Sequence, residues 1–174
     1  MKAVADIERK LDFVDAVADF FLDAAEQDLQ RSDNERALRA ATVAASVLAR
    51  QNRRLTEPRL ETLLQALASR LDAQPTVHDR PIADRPACLH VLDEALPAGG
   101  ASAMAQRWMR CDHARRHGVA LLNQSGPVPE AFAAAVASCG GQVHLPAPGT
   151  GHMARAQWLR ALATHCADAV VLHT

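Results

Sequence analysis

After Ala87 the chain alternates short apolar runs with helix-length segments, and nothing else in it restricts the fold as tightly. The runs are Cys88–Leu92 (CLHVL), Gly118–Leu122 (GVALL), Gln142–Leu145 (QVHL) and Ala169–His173 (AVVLH). Helices are predicted from Ser102 onward, over Pro127–Ser138 with Gly140-Gly141 as the stop, and over Met153–Cys166 with Ala156, Leu159, Leu162 and Ala163 inward. Strands separated by single helices imply βαβ units, a parallel sheet and right-handed crossovers. Ligands of such sheets gather at the carboxyl ends of the strands, here the segments Asp93–Ser102, Asn123–Gly126, Pro146–Gly151 and His173–Thr174.

The first connection, DEALPAGGASAMAQRW, carries the candidate site. Gly99 and Gly100 let backbone approach a ligand, and a helix start offers N–H groups with partial positive charge. Ser102 is the expected cap of that helix. Gly99, Gly100 and Ser102 are therefore candidate contacts to an anionic group. The segment lacks the GxGxxG of dinucleotide-binding folds, and a turn that merely reverses the chain is the competing account. Asp93 and Glu94 could bind a ligand's hydroxyls or simply be solvated. Glu130 suits the first turn of its helix, and Arg115 and Arg116 suit a helix end.

Residues 1–72 read differently. Ile7, Leu11, Val14, Ala18, Phe21, Ala25 and Leu29 form one stripe of a helix over Ala3–Gln30 whose other faces are acidic. Ser32 and Glu35 form a capping box for a second helix from Asp33 to about Arg54, with Leu38, Ala41, Ala45 and Leu48 as its face. Thr56 caps a third, with stripe Leu60, Leu64, Leu67 and Leu71. Between Arg31 and Arg70 the second and third helices carry eight arginines and four acids, complementary to the first. Weak attraction between solvated faces accounts for that split, and a docking or self-association surface is the sharper account. Residues 73–86, with three prolines, read as a linker to a domain over 87–174.

Composition removes several functions. A net charge of −1, 3% aromatic residues and no tyrosine argue against nucleic-acid binding. Cys88, Cys111, Cys139 and Cys166 form no CxxC pair, which suits reduced thiols in the cytoplasm. Cys111, His113 and His117 have no fourth ligand at metal-site spacing, so no metal is expected. Ser102 and Ser125 lack the GxSxG elbow of a serine nucleophile. The N-terminus has charges where a signal peptide would be apolar, and no apolar run approaches 18 residues, so a cytoplasmic protein without a transmembrane segment is expected.

The strand LHVLDE, the loop PAGGAS entering a helix, the segment VALLNQSGPVPEAF, the GG turn, His144 on a short strand and the ending DAVVLHT together resemble a known family. Residues 87–174 resemble the N-terminal Rossmann-like domain of GT-B-fold glycosyltransferases of the group 1 / family 4 type. The resemblance implies an α/β fold with a half Rossmann-like parallel sheet of four strands and three helices, behind a three-helix appendage. It implies retaining sugar transfer from a nucleotide-sugar to a glycan or small-molecule acceptor, with no cofactor and no metal. Gly99 and Gly100 would lie by the donor diphosphate and acceptor, and His173 would face the same cleft. The plainer account of His173 is a histidine closing a buried strand with one hydrogen bond. Nothing in the chain resembles the family's C-terminal, donor-binding domain, so a fragment inactive by itself is expected. Such a fragment should expose apolar surface along Ala169–His173, whereas a finished module should have a polar edge. The alternatives are a non-catalytic interaction or assembly module that uses the helices, and a stand-alone anion-binding doubly wound domain. A receiver domain is excluded, because His144, Leu145 and Pro146 stand where its aspartate would end the third strand.

Overall fold

A computed structural model describes residues 2–51, 56–71 and 84–173. Most of the expected linker and the expected end of the second helix at Arg54 lie outside the described residues. The described residues fall into two compact units, one built on the N-terminal helices and one on a sheet. Six helices and one four-stranded, all-parallel sheet are present among them. No described helix is long and apolar enough to cross a membrane.

The helical unit comprises α1 (Lys2–Gln30), α2 (Asn34–Gln51) and α3 (Pro58–Ser69). Its core is rich in alanine: Ala25 of α1, Ala37 and Ala41 of α2, and Leu63 and Leu67 of α3 form one cluster, and Ala18, Leu22, Ala44 and Leu48 are buried as well. Small side chains let the helices approach closely, so alanines take the innermost positions and larger residues flank them. Ala18, Ala25, Ala41, Leu48 and Leu67 are buried as expected, and other positions of the expected stripes are displaced by one. Leu22 is buried without having been expected, Ala37 and Ala44 replace Leu38 and Ala45, and Leu63 replaces Leu64, while Ile7 is 58% exposed. The caps shift as well. Asp33, not Ser32, accepts the Arg36 N–H at 3.1 Å, and Ser32 sits in the left-handed region at φ 62°. Glu57, not Thr56, caps α3 through the Arg59 N–H.

Among the described residues, the charge split between these helices is realised most densely at Arg59, beside an Arg36–Asp28 pair at 3.5 Å. Arg59 of α3 reaches Glu26 at 3.0 Å, Asp23 at 2.5 Å and Asp19 at 4.0 Å, all on α1. These carboxylates raise the Arg59 pKa, the hydrogen bonds to Glu26 and Asp23 contributing most. The groups are substantially exposed, so Arg59→Ala is expected to cost only about 1 kcal/mol. Urea denaturation in low and high salt checks this, since the loss should shrink as salt screens the network.

The α/β unit runs β1 (Ala87–Leu92), α4 (Gly100–Cys111), β2 (Arg116–Leu121), α5 (Glu130–Ser138), β3 (Val143–His144), α6 (His152–Cys166) and β4 (Ala169–His173). The strand order is β3-β2-β1-β4, an arrangement consistent with a Rossmann-like sheet. Alternation along the strands sends Leu92, Val119 and Leu121 toward Ala105 and Met109 of α4 and Phe132 and Val136 of α5. Leu89, Val91 and Ala120 point the other way, toward Trp158, Leu159, Leu162 and Ala163 of α6. Helix α5 ends as expected at Gly140-Gly141: the Gly140 N–H bonds Ala137 O, the Gly141 N–H bonds Val136 O, and Gly140 has φ 74°.

Strand β4 is a sheet edge. Beside Leu89 and Val91, on the α6 face, it exposes Val170 (46%) and Leu172 (68%).

Candidate functional site

The strand order creates a switch point. From β1 the chain steps through β2 to β3 on one side, and β4 joins on the other, so Leu92 at the end of β1 lies beside His173 at the end of β4. The loop after β1 and the start of α4 open at this crevice, where doubly wound sheets bind their ligands.

Helix α4 begins at Gly100 rather than Ser102, and Gly99 is its cap residue, with no side chain to satisfy the first N–H groups. Ser102 lies in the first turn of α4, buried against the preceding loop, where its Oγ accepts the Leu96 N–H at 3.0 Å. Sequence could not show this, because an N-terminal serine suits either role. Ser102→Ala should orphan the Leu96 N–H and cost about 1–2 kcal/mol, measurable by thermal unfolding. The two glycines differ too. A Cβ on Gly99 would press on Leu96 Cβ at 3.1 Å and Ser102 Oγ at 3.3 Å, whereas one on Gly100 would meet nothing within 4 Å. Gly99 therefore serves the loop's own packing, and Gly100 borders open space.

The rim is stitched by polar side chains. Gln124 accepts the Ala95 N–H at 2.9 Å, Asn123 binds Asp93, and Ser125 donates to Glu94 from its hydroxyl and, at 3.2 Å, its N–H. Those donors hold Glu94 below the usual carboxylate range. Asp93 and Glu94 are thus engaged with the loop after β2. Beside them a cavity of about 320 Å³ opens at the ends of β2 and β3, bordered by Asn123, Gln124, Pro146, Gly149 and Arg155. The Arg155 guanidinium bonds Asn123 Oδ1 and, at 3.1 Å, Thr150 O, while its buried Nε has no protein partner. Arg155 lies in α6, where nothing in the local pattern distinguishes it from a solvated arginine.

His173 faces inward. Its Nε2 lies 2.8 Å from Nδ1 of His90, whose Nε2 lies 3.0 Å from Nδ1 of His117, whose Nε2 lies 2.7 Å from the Asp112 carbonyl. Three imidazoles thus cross β4, β1 and β2 in one line beneath α4, with Trp108 edge-on to His90 and His173. His90 and His117 are fully buried and His173 nearly so. The carbonyl only accepts, so His117 carries its proton on Nε2 and leaves Nδ1 bare. His90 then donates from Nε2, His173 donates from Nε2 to His90, and three neutral rings satisfy every bond. Burial first, then the charges that His173 and His117 would carry, lower the His90 pKa to about 4; burial also lowers that of His173.

Cys88 lies on the same face of β1 as His90 and directly beside His117 in the register. Among the described residues Cys88, His90 and His117 form a group whose ligand atoms all lie within 4.8 Å of one another. The cysteine weighed from sequence, Cys111, is exposed and belongs to no such group among the described residues. Period-2 alternation already puts Cys88 and His90 on one face. The partner histidines become visible only once the β1–β2 and β1–β4 registers are known.

Compared with protein-family models, with curated proteins and with solved structures, the chain matches none of them.

Proposed function

We propose that the α/β unit is the acceptor-side half of a retaining, GT-B-type glycosyltransferase that uses a nucleotide-sugar donor. The observation that carries this reading is the crevice at the switch point. There an uncapped helix start, with Gly100 bordering open space, presents N–H groups to an anion between the ends of β1 and β4. A donor diphosphate is such an anion, and charge stabilisation of that leaving group is what retaining transfer asks of the protein. The edge strand lends further support. A right-handed crossover continuing outward from β4 would lay its helix on the α6 face, where Val170 and Leu172 are exposed.

Reading the gene past the Thr174 codon is the first test. An open frame encoding further strand–helix units and a second α/β domain is expected, and a stop codon there would overturn the proposal in favour of an interaction module. The protein from the open frame should release nucleoside diphosphate from at least one of a panel of UDP-, GDP- and ADP-sugars. Gly100→Val should keep the fold and lose that release, because its side chain would occupy the space the diphosphate needs.

A further inference from the structure

We infer that Cys88, His90 and His117 form a buried binding site for one thiophilic d10 metal ion, Zn(II) or Cu(I). The three residues offer one sulfur and two imidazole nitrogens, ligands that such ions favour over the oxygen donors suited to Mg(II) or Ca(II). The spacing is close to that of a liganded pair. Tetrahedral zinc with Zn–N of about 2.0–2.1 Å holds two ligand nitrogens ~3.3 Å apart. His90 Nε2 and His117 Nδ1 are 3.0 Å apart, so a small opening admits the ion between them.

The outer partners argue more strongly than the distances. A metal-bound histidine normally donates its other ring N–H to a carbonyl, carboxylate or similar acceptor, which fixes the ligating nitrogen. His117 meets that condition through the Asp112 carbonyl at 2.7 Å, which keeps the proton on Nε2 and turns bare Nδ1 toward Cys88 and His90. His90 meets it through His173, whose Nε2 lies 2.8 Å from His90 Nδ1. Binding moves the His90 proton from Nε2 to Nδ1, from which it donates to His173, and the His173 proton moves from Nε2 to Nδ1. Both rings stay neutral. Cys88 loses its thiol proton to solvent as the metal–sulfur bond forms, so the balance is one proton released per ion. No change of oxidation state is involved. Burial disfavours a bare Cys88 thiolate, and the ion supplies the positive charge that stabilises it there.

The test uses the full chain, reduced and freed of metal by a chelator. It is titrated with Zn(II), and separately with Cu(I) without oxygen, each against a competing chromophoric chelator. One equivalent of at least one ion should bind, with one proton released, seen as buffer-dependent heats in calorimetry. Losing an outer-shell partner typically costs 10–100-fold in affinity, so losing the thiolate itself in Cys88→Ala should cost more than ~100-fold. Cys111→Ala, at an exposed thiol, should bind like the parent. Co(II) loaded into the parent protein should show a sulfur-to-metal charge-transfer band, a readout that does not depend on any variant folding. The inference is overturned if neither ion binds stoichiometrically, if affinity survives Cys88→Ala, or if the band is absent.

Discussion

Gly141→Ala is expected to unfold the α/β unit. A Cβ at this position would sit 1.7 Å from the His117 carbonyl oxygen, 2.4 Å from its carbon and 2.9 Å from the Gly118 nitrogen. All three are backbone atoms of β2, so no rotamer change relieves the overlap. The chain passes this close because the helix cap at Gly140-Gly141 delivers it directly into β3, and the carbonyl of Gln142, just before that strand, accepts the Val119 N–H at 2.9 Å. Separating the segments breaks that ladder, and the cost should exceed about 4 kcal/mol, the range reserved for severe steric or core damage. Urea denaturation followed by near-UV circular dichroism checks it, with loss of amide protection at Val119 as the local marker. Gly126→Ala, whose Cβ would meet nothing within 4 Å, should change stability by no more than about 1 kcal/mol. Equal effects at both positions would refute the steric argument.

The metal-free protein is expected to lose about 3 kcal/mol of stability between pH 6.5 and pH 4 through His90 alone. Its pKa falls from 6.5 to about 4 on folding, because burial disfavours the charged ring and a charged His173 or His117 would repel it. In the unfolded chain the ring takes up a proton below pH 6.5, while in the folded chain it stays neutral until about pH 4. The unfolded state therefore binds more protons across that window, and stability is full above it and drains as pH falls through it. His173, lowered by burial in the same direction, adds to the slope. His90→Gln tests the assignment. The amide can accept from His173 and donate to His117 but does not titrate, so the variant should fold and lose most of the slope. An unchanged slope would place the titration elsewhere. Loading the protein with metal should steepen the slope, since each ion bound displaces a proton and protons compete with it increasingly as pH falls.

Much of the fold was legible because it is written in local periodicity. The run AVVLH became a strand with the expected bounds, α5 stopped at Gly140-Gly141, and the strand–helix alternation led to a parallel sheet. The helical stripes were legible in part: Ala18, Ala25, Ala41, Leu48 and Leu67 are buried as expected, because the 3.6-residue period marks the face, while neighbouring positions at its border differ too little in hydrophobicity to rank. Thus Ala37 and Ala44 stand where Leu38 and Ala45 were expected, and Leu63 where Leu64 was.

The sequence by itself determined which segments are strands and helices, where β1, β4, α5 and α6 stop, and that the loop after β1 opens at a carboxyl edge. These depend on side-chain spacing and on backbone freedom at glycine, which act over a few residues. Tertiary structure alone decided that Ser102 closes its own loop, that Arg155 reaches the loop after β2, and that His173 turns toward His90. It also decided that Cys88, His90 and His117, up to 29 residues apart in the chain, converge beneath α4. Strand register makes that convergence: shifting β2 by one residue would send His117 to the opposite face, and no local pattern specifies that pairing.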